Sequence, residues 1–308
     1  MRKFLSVVTL LLMGAVLIAG PVQAEDLEDL LVQVGEDYGR AYASPLIEAF
    51  GPNQNSAQYQ SAHIPWGGLV FGVGVKVMAT HLNEGDQTFK TVLEDVDLGD
   101  YDPAYAGQTG DIVMQGPTLF GSTSEYGTVT GYLNGLPAFE MEALPGLIDS
   151  RFVPMATPEG SIGGIFGLKG TVRWFPEVQM SSYGKTKYFG YGLQWSPNGL
   201  LTNFPIDLMA GFFDQELKVG TLVDSTAKTF FLAASKDLGS ITVFGGWAKE
   251  ESEMTISYVY EGDGSVVTFN AAARQESRLT LGVALGALSV EMAHGDLTTY
   301  SAGLMFGF

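Results

Sequence analysis

The 308-residue chain contains no cysteine, which excludes disulfide staples and thiolate metal sites. Histidine is scarce as well. His63, His81 and His294 are scattered and show no H-x-x-x-H or paired spacing, so nothing points to a metal centre. Cations are few: 16 Lys and Arg stand against 34 Asp and Glu, a formal charge of −18. That balance argues against nucleic acid, whose phosphates need lysine and arginine. Apart from the first residues, no run of about 18 apolar residues exists from which a helix could cross a bilayer. Motifs of chemistry are missing too. "GVGVKV" lacks the third glycine and the helix start of a phosphate loop, and "AHGDLTTYS" places His294 near a turn without a G-x-S-x-G partner. The expectation is a protein that is not an enzyme and carries no cofactor or metal.

What is present begins with an export signal. Arg2 and Lys3 precede the apolar run Phe4–Ala19, and Val22-Gln23-Ala24 fits a small-x-small cleavage pattern, so residues 1–24 read as a signal peptide. Removing those two cations from −18 leaves −20 for the mature chain. Leu27, Leu30, Leu31, Val34 and Tyr38 then share one helical face. "ASPLIEAFG" reads as a second short helix, with Ser44 as N-cap, Pro45 at the first helical position and Gly51 as its stop. "PNQNSAQYQSAHIP" reads as irregular backbone rich in amides.

After Trp66 the period changes to two. Leu69, Phe71, Val73, Val75 and Val77 share one face, and Val70, Gly72, Gly74, Lys76 and Met78 share the other. The same split recurs in "IFGLKGTVRWF", "KYFGYGLQW", "ITVFGGW", "RLTLGVALG" and "ALSVEM". Glycine, at 40 residues, falls on the second face where a soluble sheet would carry solvated polar groups. Trp66, Trp174, Trp195 and Tyr300 sit at strand ends, where an aromatic girdle belongs. The final "TTYSAGLMFGF" alternates Tyr300, Ala302, Leu304, Phe306 and Phe308 on one face. These patterns predict an all-β transmembrane antiparallel barrel of about 10–12 strands with a short helical N-terminal plug, the apolar face turned to lipid. The expected organisation is a signal peptide at 1–24, a helical and irregular plug at 25–65 and a barrel at 66–308. Within the barrel, residues 66–97 are expected to form a hairpin turning at "NEGD". The proline-rich stretch 98–160 is expected to hold one further strand pair. Its acidic run Glu94, Asp95, Asp97, Asp100 and Asp102 does not match an EF-hand loop and reads as a solvated surface, with divalent bridging as the sharper alternative.

Strand parity turns Lys76, Lys169, Arg173, Arg278 and Glu291 into the lumen, with Asp207 as a second inward acid. The plug offers Glu28, Asp29, Glu36 and Asp37 as partners for those bases. Residues 25–60 are therefore expected to fill the periplasmic half of the pore, with their carboxylates on inward cations.

The alternating strand that ends on Phe308 resembles the assembly signal of Gram-negative outer-membrane barrels. "YASPLIEAFGPNQNSAQYQSAHIP" leading into "FGVGVKVMAT", followed by "GPTLFG", "GTVRWFP" and "YFGYGLQWSP", resembles a family of uncharacterised outer-membrane barrel proteins. A looser similarity of architecture links the chain to outer-membrane long-chain fatty-acid transporters, which also place an N-terminal helical plug inside a barrel. The resemblance implies residence in the outer membrane of a Gram-negative-type cell. It implies outer-membrane lipid as surroundings and the barrel-assembly machinery as a partner reached through the last strand. The expected function is passive transport or uptake of a small solute, hydrophobic ones included, whose identity the residues do not name. A structural or surface-interaction barrel without an open pore is the alternative, and a membrane-embedded lipid hydrolase is the third reading.

Overall fold

The computed structural model describes residues 30–32, 34–179, 185–201, 204–262 and 264–307. The signal-peptide reading, Glu28, Asp29 and Phe308 lie outside these residues. One helix, α1 (Glu36–Gln54), precedes fifteen strands: β1 (Val70–His81), β2 (Thr88–Asp97), β3 (Thr109–Pro117), β4 (Tyr126–Leu133), β5 (Leu136–Pro145), β6 (Phe152–Ile165), β7 (Leu168–Gln179), β8 (Lys185–Trp195), β9 (Asp207–Val219), β10 (Val223–Asp237), β11 (Ile241–Val259), β12 (Val266–Ala272), β13 (Ser277–Leu285), β14 (Leu288–His294) and β15 (Thr298–Gly307).

Ten of the strands close a ring of antiparallel ladders, β1–β6–β7–β8–β9–β10–β11–β13–β14–β15 and back to β1. From Glu159 of β6 down to the lower turns closure leaves no free edge, the condition for putting strands in hydrocarbon. β12 pairs with the last part of β11, Glu253–Val259, and extends the wall above β13. The start of β1 and the finish of β15 lie at one end, here the lower end, with the two-residue turn Phe166-Gly167. Both of those residues have positive φ, +52° and +72°, the geometry of a hairpin turn whose twist matches its strands.

The alternation has a direct structural meaning. Exposed outward positions include Trp174, Phe189, Leu193, Phe230, Leu232, Trp247, Leu281 and Val283, while the residues between them are buried. Above this belt the outward face turns polar, with Lys249, Glu251 and Glu253 following Trp247 on β11. The inward glycines make room for inward rings. Gly192 lies opposite Phe213, Gly211 opposite Phe231, and Gly282 opposite Phe244. In each pair a methyl group on the glycine would sit against the ring.

Three expectations need correction. β1 and β2 do not form a hairpin: β1 pairs with β6 and β15, while β2 joins a separate four-stranded sheet, β2–β3–β4–β5. The stretch 98–160 therefore holds most of an inserted sheet plus the greater part of a barrel strand, β6, instead of one strand pair. Pro154 and Pro158 sit inside β6, which is hydrogen-bonded to β7 only from Glu159 onward. The proline-bearing half thus has β1 on one side and an open edge on the other, where a missing N–H is tolerated. Finally, the second helix does not begin at Ser44: α1 begins at Glu36, after a break that separates it from the helical Leu30 and Leu31. α1 runs through Pro45 because Ser44 Oγ donates to the Ala41 carbonyl (3.0 Å), the acceptor that the proline leaves without its N–H.

α1 lies at the upper end between the barrel and the inserted sheet. Tyr38, Tyr42 and Ile47 share one apolar cluster with Ile112, Met114 and Leu144 of the sheet and Met254, Ile256 and Phe269 of the wall. Burial pushes the Tyr38 phenol up to about 12 and the Tyr101 phenol, beside Asp37 and Asp100, up to about 12 as well.

The belt makes a prediction. Leu281→Arg places a charge on the lipid side of β13 and is expected to cost about 2–4 kcal/mol, whereas Glu253→Ala, above the belt, should change stability by less than about 0.5 kcal/mol. Urea titration of both variants refolded into lipid vesicles checks this, and equal costs would contradict the assignment of the outer face.

Candidate functional site

The lumen is occupied by the chain's own N-terminal segment. From the end of α1 the backbone descends through the barrel, and Asn53, Gln54, Asn55, Ser56, Ala57 and Gln58 are all buried. Ser61 and Ala62 then reach Ser235, His63 reaches Asp207 (3.1 Å), and the Trp66 indole donates to the Ser196 carbonyl (2.9 Å) near the lower end. β1 starts from there. The segment thus threads the barrel from the upper end to the lower one. The helical part sits at the upper end, opposite the end where β1 starts and β15 finishes. The expected plug of residues 25–60 is corrected in its extent: α1 packs its apolar face into the inserted sheet, so only the residues from its last turn onward run through the lumen.

Arg173 holds the thread at mid-height. It alternates with outward Val172 and Trp174 on β7 and is fully buried. Its Nε donates to Glu159 Oε2 (2.9 Å), directly across the β6–β7 ladder. Nη1 donates to the Gln54 and Ser56 carbonyls (3.1 and 2.9 Å), and Nη2 to the Ala57 carbonyl (2.6 Å). The Phe213 ring lies 5.2 Å from the guanidinium carbon. Gln215, also inward, donates to the Gln54 carbonyl (2.8 Å) and accepts from the Tyr188 hydroxyl (2.7 Å).

A second set of contacts grips the same turn from the other wall. Arg278 Nη1 donates to Ser56 Oγ (2.9 Å) and the Pro52 carbonyl (3.2 Å), with Glu250 3.5 Å away. Glu291 Oε1 accepts the Ala57 N–H (2.7 Å). Ala57 is therefore held at its carbonyl by Arg173 and at its amide by Glu291. Its φ is +57°, a left-handed conformation that costs a residue with a Cβ about 1–2 kcal/mol.

Of the sequence candidates, Lys76, Arg173, Arg278 and Glu291 lie buried inside the barrel, and Lys169 is half-buried toward the lower end. Of the expected acidic partners, Glu36 and Asp37, the two among the described residues, do not meet them. Glu36 pairs with Arg40 on the exposed side of α1, Asp37 lies near Tyr101, and Glu48 pairs with Arg274. Backbone carbonyls of residues 52–57 take their place, because the last turn of α1 and the irregular segment after it have carbonyls without an N–H partner to offer. The wall also supplies more acids than the sequence reading counts: Glu159 and Glu250 are both buried on it. Glu250 is legible, since it shares parity with inward Phe244 and Ala248; Glu159 is hidden among prolines.

The acidic run after β2 caps turns: Asp97 Oδ1 accepts from Gly99 and Gly107, and Asp102 Oδ1 from Ala104. His81 packs against Phe152 and His294 contacts Thr298. Among the described residues no group of three or more His, Asp or Glu could hold a metal ion.

The whole chain, residues 1–308, matches the sequence profile of a family of unknown function, DUF6588. The chain belongs to that family. No curated protein matches it. Among solved structures it is similar to a loop-deletion mutant of OmpT, an outer-membrane protein of Vibrio cholerae (8% identity, 78% of this chain and 99% of that one, TM-score 0.27). It is similar also to the outer-membrane protease OmpT of Escherichia coli (9%, 78% and 96%, TM-score 0.27) and to the translocator domain of the autotransporter NalP of Neisseria meningitidis (8%, 89% and 98%, TM-score 0.25). Likenesses this distant carry no argument about the lumen of this family member.

Arg173→Met removes the cation that Glu159 and three carbonyls share. Breaking one half of a buried pair is expected to cost about 3–5 kcal/mol. Arg173→Met combined with Glu159→Met should recover part of that loss, measured by urea titration in vesicles. A double variant no better than the single one would show that the carbonyl contacts dominate.

Proposed function

We propose that the protein is a gated outer-membrane barrel, in which a small solute passes when residues 53–65 shift within the lumen. The observation that carries this reading is the polar and incompletely satisfied contact between thread and wall. Both amide atoms of Gln58, together with Gln60 Oε1, Gln194 Oε1, Thr171 Oγ1 and Thr229 Oγ1, are buried without a hydrogen-bond partner. A permanent filling would cost least if it were apolar, whereas these groups favour a rearrangement that lets water or solute reach them. The strained, doubly gripped Ala57 supports the same view, since releasing it returns backbone strain.

A second reading is favoured by the inserted sheet, which exposes Val92, Tyr126, Leu136 and Met141. On that reading the barrel stays closed and the sheet is its working surface.

The absence of cysteine makes the distinction clean. Ser61 Oγ and Ser235 Oγ lie 3.3 Å apart, so Ser61→Cys with Ser235→Cys installs a tether between thread and wall. In planar bilayers the reduced protein is expected to open and the oxidised protein to conduct at least about tenfold less. Equal conductance in both states would overturn movement of the thread as the gate, and no openings in either would favour the closed barrel.

A further inference from the structure

Below the Arg173 grip, at the lower end, the thread and the wall leave a cavity of roughly 170 Å3 between Tyr59–Pro65 and strands β1, β6, β7 and β15. Lys76, Lys169, Glu159 and Ser161 line it on the polar side, and Ile64 and Met305 on the apolar side. Volume alone would hold several waters. The charges are less easily explained by water.

Lys76 is 2% exposed, and its ammonium end lies beside Gly303 and Ser289. Lys169 projects from β7, two strands along the same wall. The carboxylate within electrostatic reach of both is Glu159, and Glu159 already accepts the charge-assisted bond from Arg173 at 2.9 Å. Glu291, also within reach of Lys76, takes the Ala57 N–H. Lys76, Lys169 and Arg173 thus draw on Glu159, with Glu291 as a second carboxylate acting on Lys76, and among the described residues neither lysine forms an ion pair with either acid. A buried cation without an anion at ion-pair distance is costly, and the cavity adjoining these two is large enough to admit one. The lining orders itself as a ligand would need: Lys76 deep in the lumen wall, Lys169 nearer the lower end and apolar side chains beside them.

We propose that this cavity is a binding site for a small organic anion, with its carboxylate on Lys76 and Lys169 and its short apolar portion against Ile64 and Met305. Lys76 is pre-positioned by the strand on which it alternates with outward Val75 and Val77, so little side-chain freedom is lost when the anion arrives. The site does not rest on the gating reading, because every group that forms it, Ile64 of the seated thread included, is in place with the lumen closed.

Titration calorimetry of the full-length protein in detergent micelles tests it, with empty micelles as the blank. Butyrate is the probe, butylamine the charge-reversed control and inorganic phosphate the control without an apolar part. Saturable butyrate binding is expected, weakened at least about tenfold by Lys76→Met and by Lys169→Gln, with butylamine not bound and phosphate bound more weakly. Lys169→Gln keeps the test usable if Lys76→Met fails to fold, since Lys169 is half-buried and heat-modifiable gel mobility reports folding of both. Absence of saturable binding, binding unchanged in the folded variants, or equal binding of butylamine would overturn the site. Phosphate binding as tightly as butyrate would overturn the organic part of the assignment. Conductance plays no part in this readout, so its failure is separable from failure of the gate.

Discussion

A guanidinium sealed from water decides how this barrel is filled. Arg173 sits on a strand whose other face meets lipid, so it has no route to solvent by bending outward. One carboxylate across the ladder balances its charge, but a planar fork with five donors needs more acceptors than Glu159 supplies. The rest come from the carbonyls of Gln54, Ser56 and Ala57. Those carbonyls are available because α1 ends at Gln54: one turn earlier they would be committed to the helix. The end of α1, the buried amides that follow it and the left-handed turn at Ala57 are thus parts of one solution to a single desolvation problem.

The closed wall and the thread obey different rules, and this explains which parts are legible in the sequence. Period-two alternation follows from the strand itself and is enforced on both sides, by lipid outside and by a crowded lumen inside. Outward Trp174, Leu193 and Trp247 and inward Lys76, Arg173 and Arg278 can therefore be read by counting. The pairing of β1 with β6 and β15 cannot, because the ladder partner of a strand is a long-range property with no local signature. The inserted sheet is partly readable. Asn134-Gly135, both with positive φ between β4 and β5, is a strong hairpin signal, yet the prolines around it point toward loop. Pro154 and Pro158 mislead for the same reason: a proline rule framed for fully paired strands does not hold where one edge is open.

The thread is legible as a plug only in outline. Acidic residues in a segment beside cationic walls suggest ion pairing, but charge on the sequence does not say which groups reach inside. Glu36, Asp37 and Glu48 sit on a helix that turns another face to the barrel, and their charges stay near water, where pairing with Arg40 or Arg274 costs little. The residues that do reach inside carry amides and hydroxyls. Neutral groups are cheaper to desolvate than carboxylates, so a segment meant to cross a narrow lumen is better built from Asn, Gln and Ser than from acids.

This distribution of polarity also limits how tightly the thread can be held. Its strong contacts concentrate at one level, where Arg173, Arg278 and Glu291 grip residues 52–57. Below that level the polar links are separate hydrogen bonds, Ser61 and Ala62 to Ser235, Gln194 to the Gln58 carbonyl, His63 to Asp207 and Trp66 to the Ser196 carbonyl, beside amide atoms without a partner in the protein. Each such bond contributes about 0.5–1.5 kcal/mol, while each unpartnered buried group takes back about 1–3 kcal/mol. The polar contacts of the lower thread therefore come close to cancelling, which leaves the packing of Tyr59, Ala62 and Ile64 against the wall and the upper grip to keep it in register. Loosening the lower thread alone would expose the cavity beside Lys76 and Lys169 without unpairing Arg173. A chain arranged in this way can admit a ligand from the lower end while its upper end, packed between α1 and the inserted sheet, stays shut.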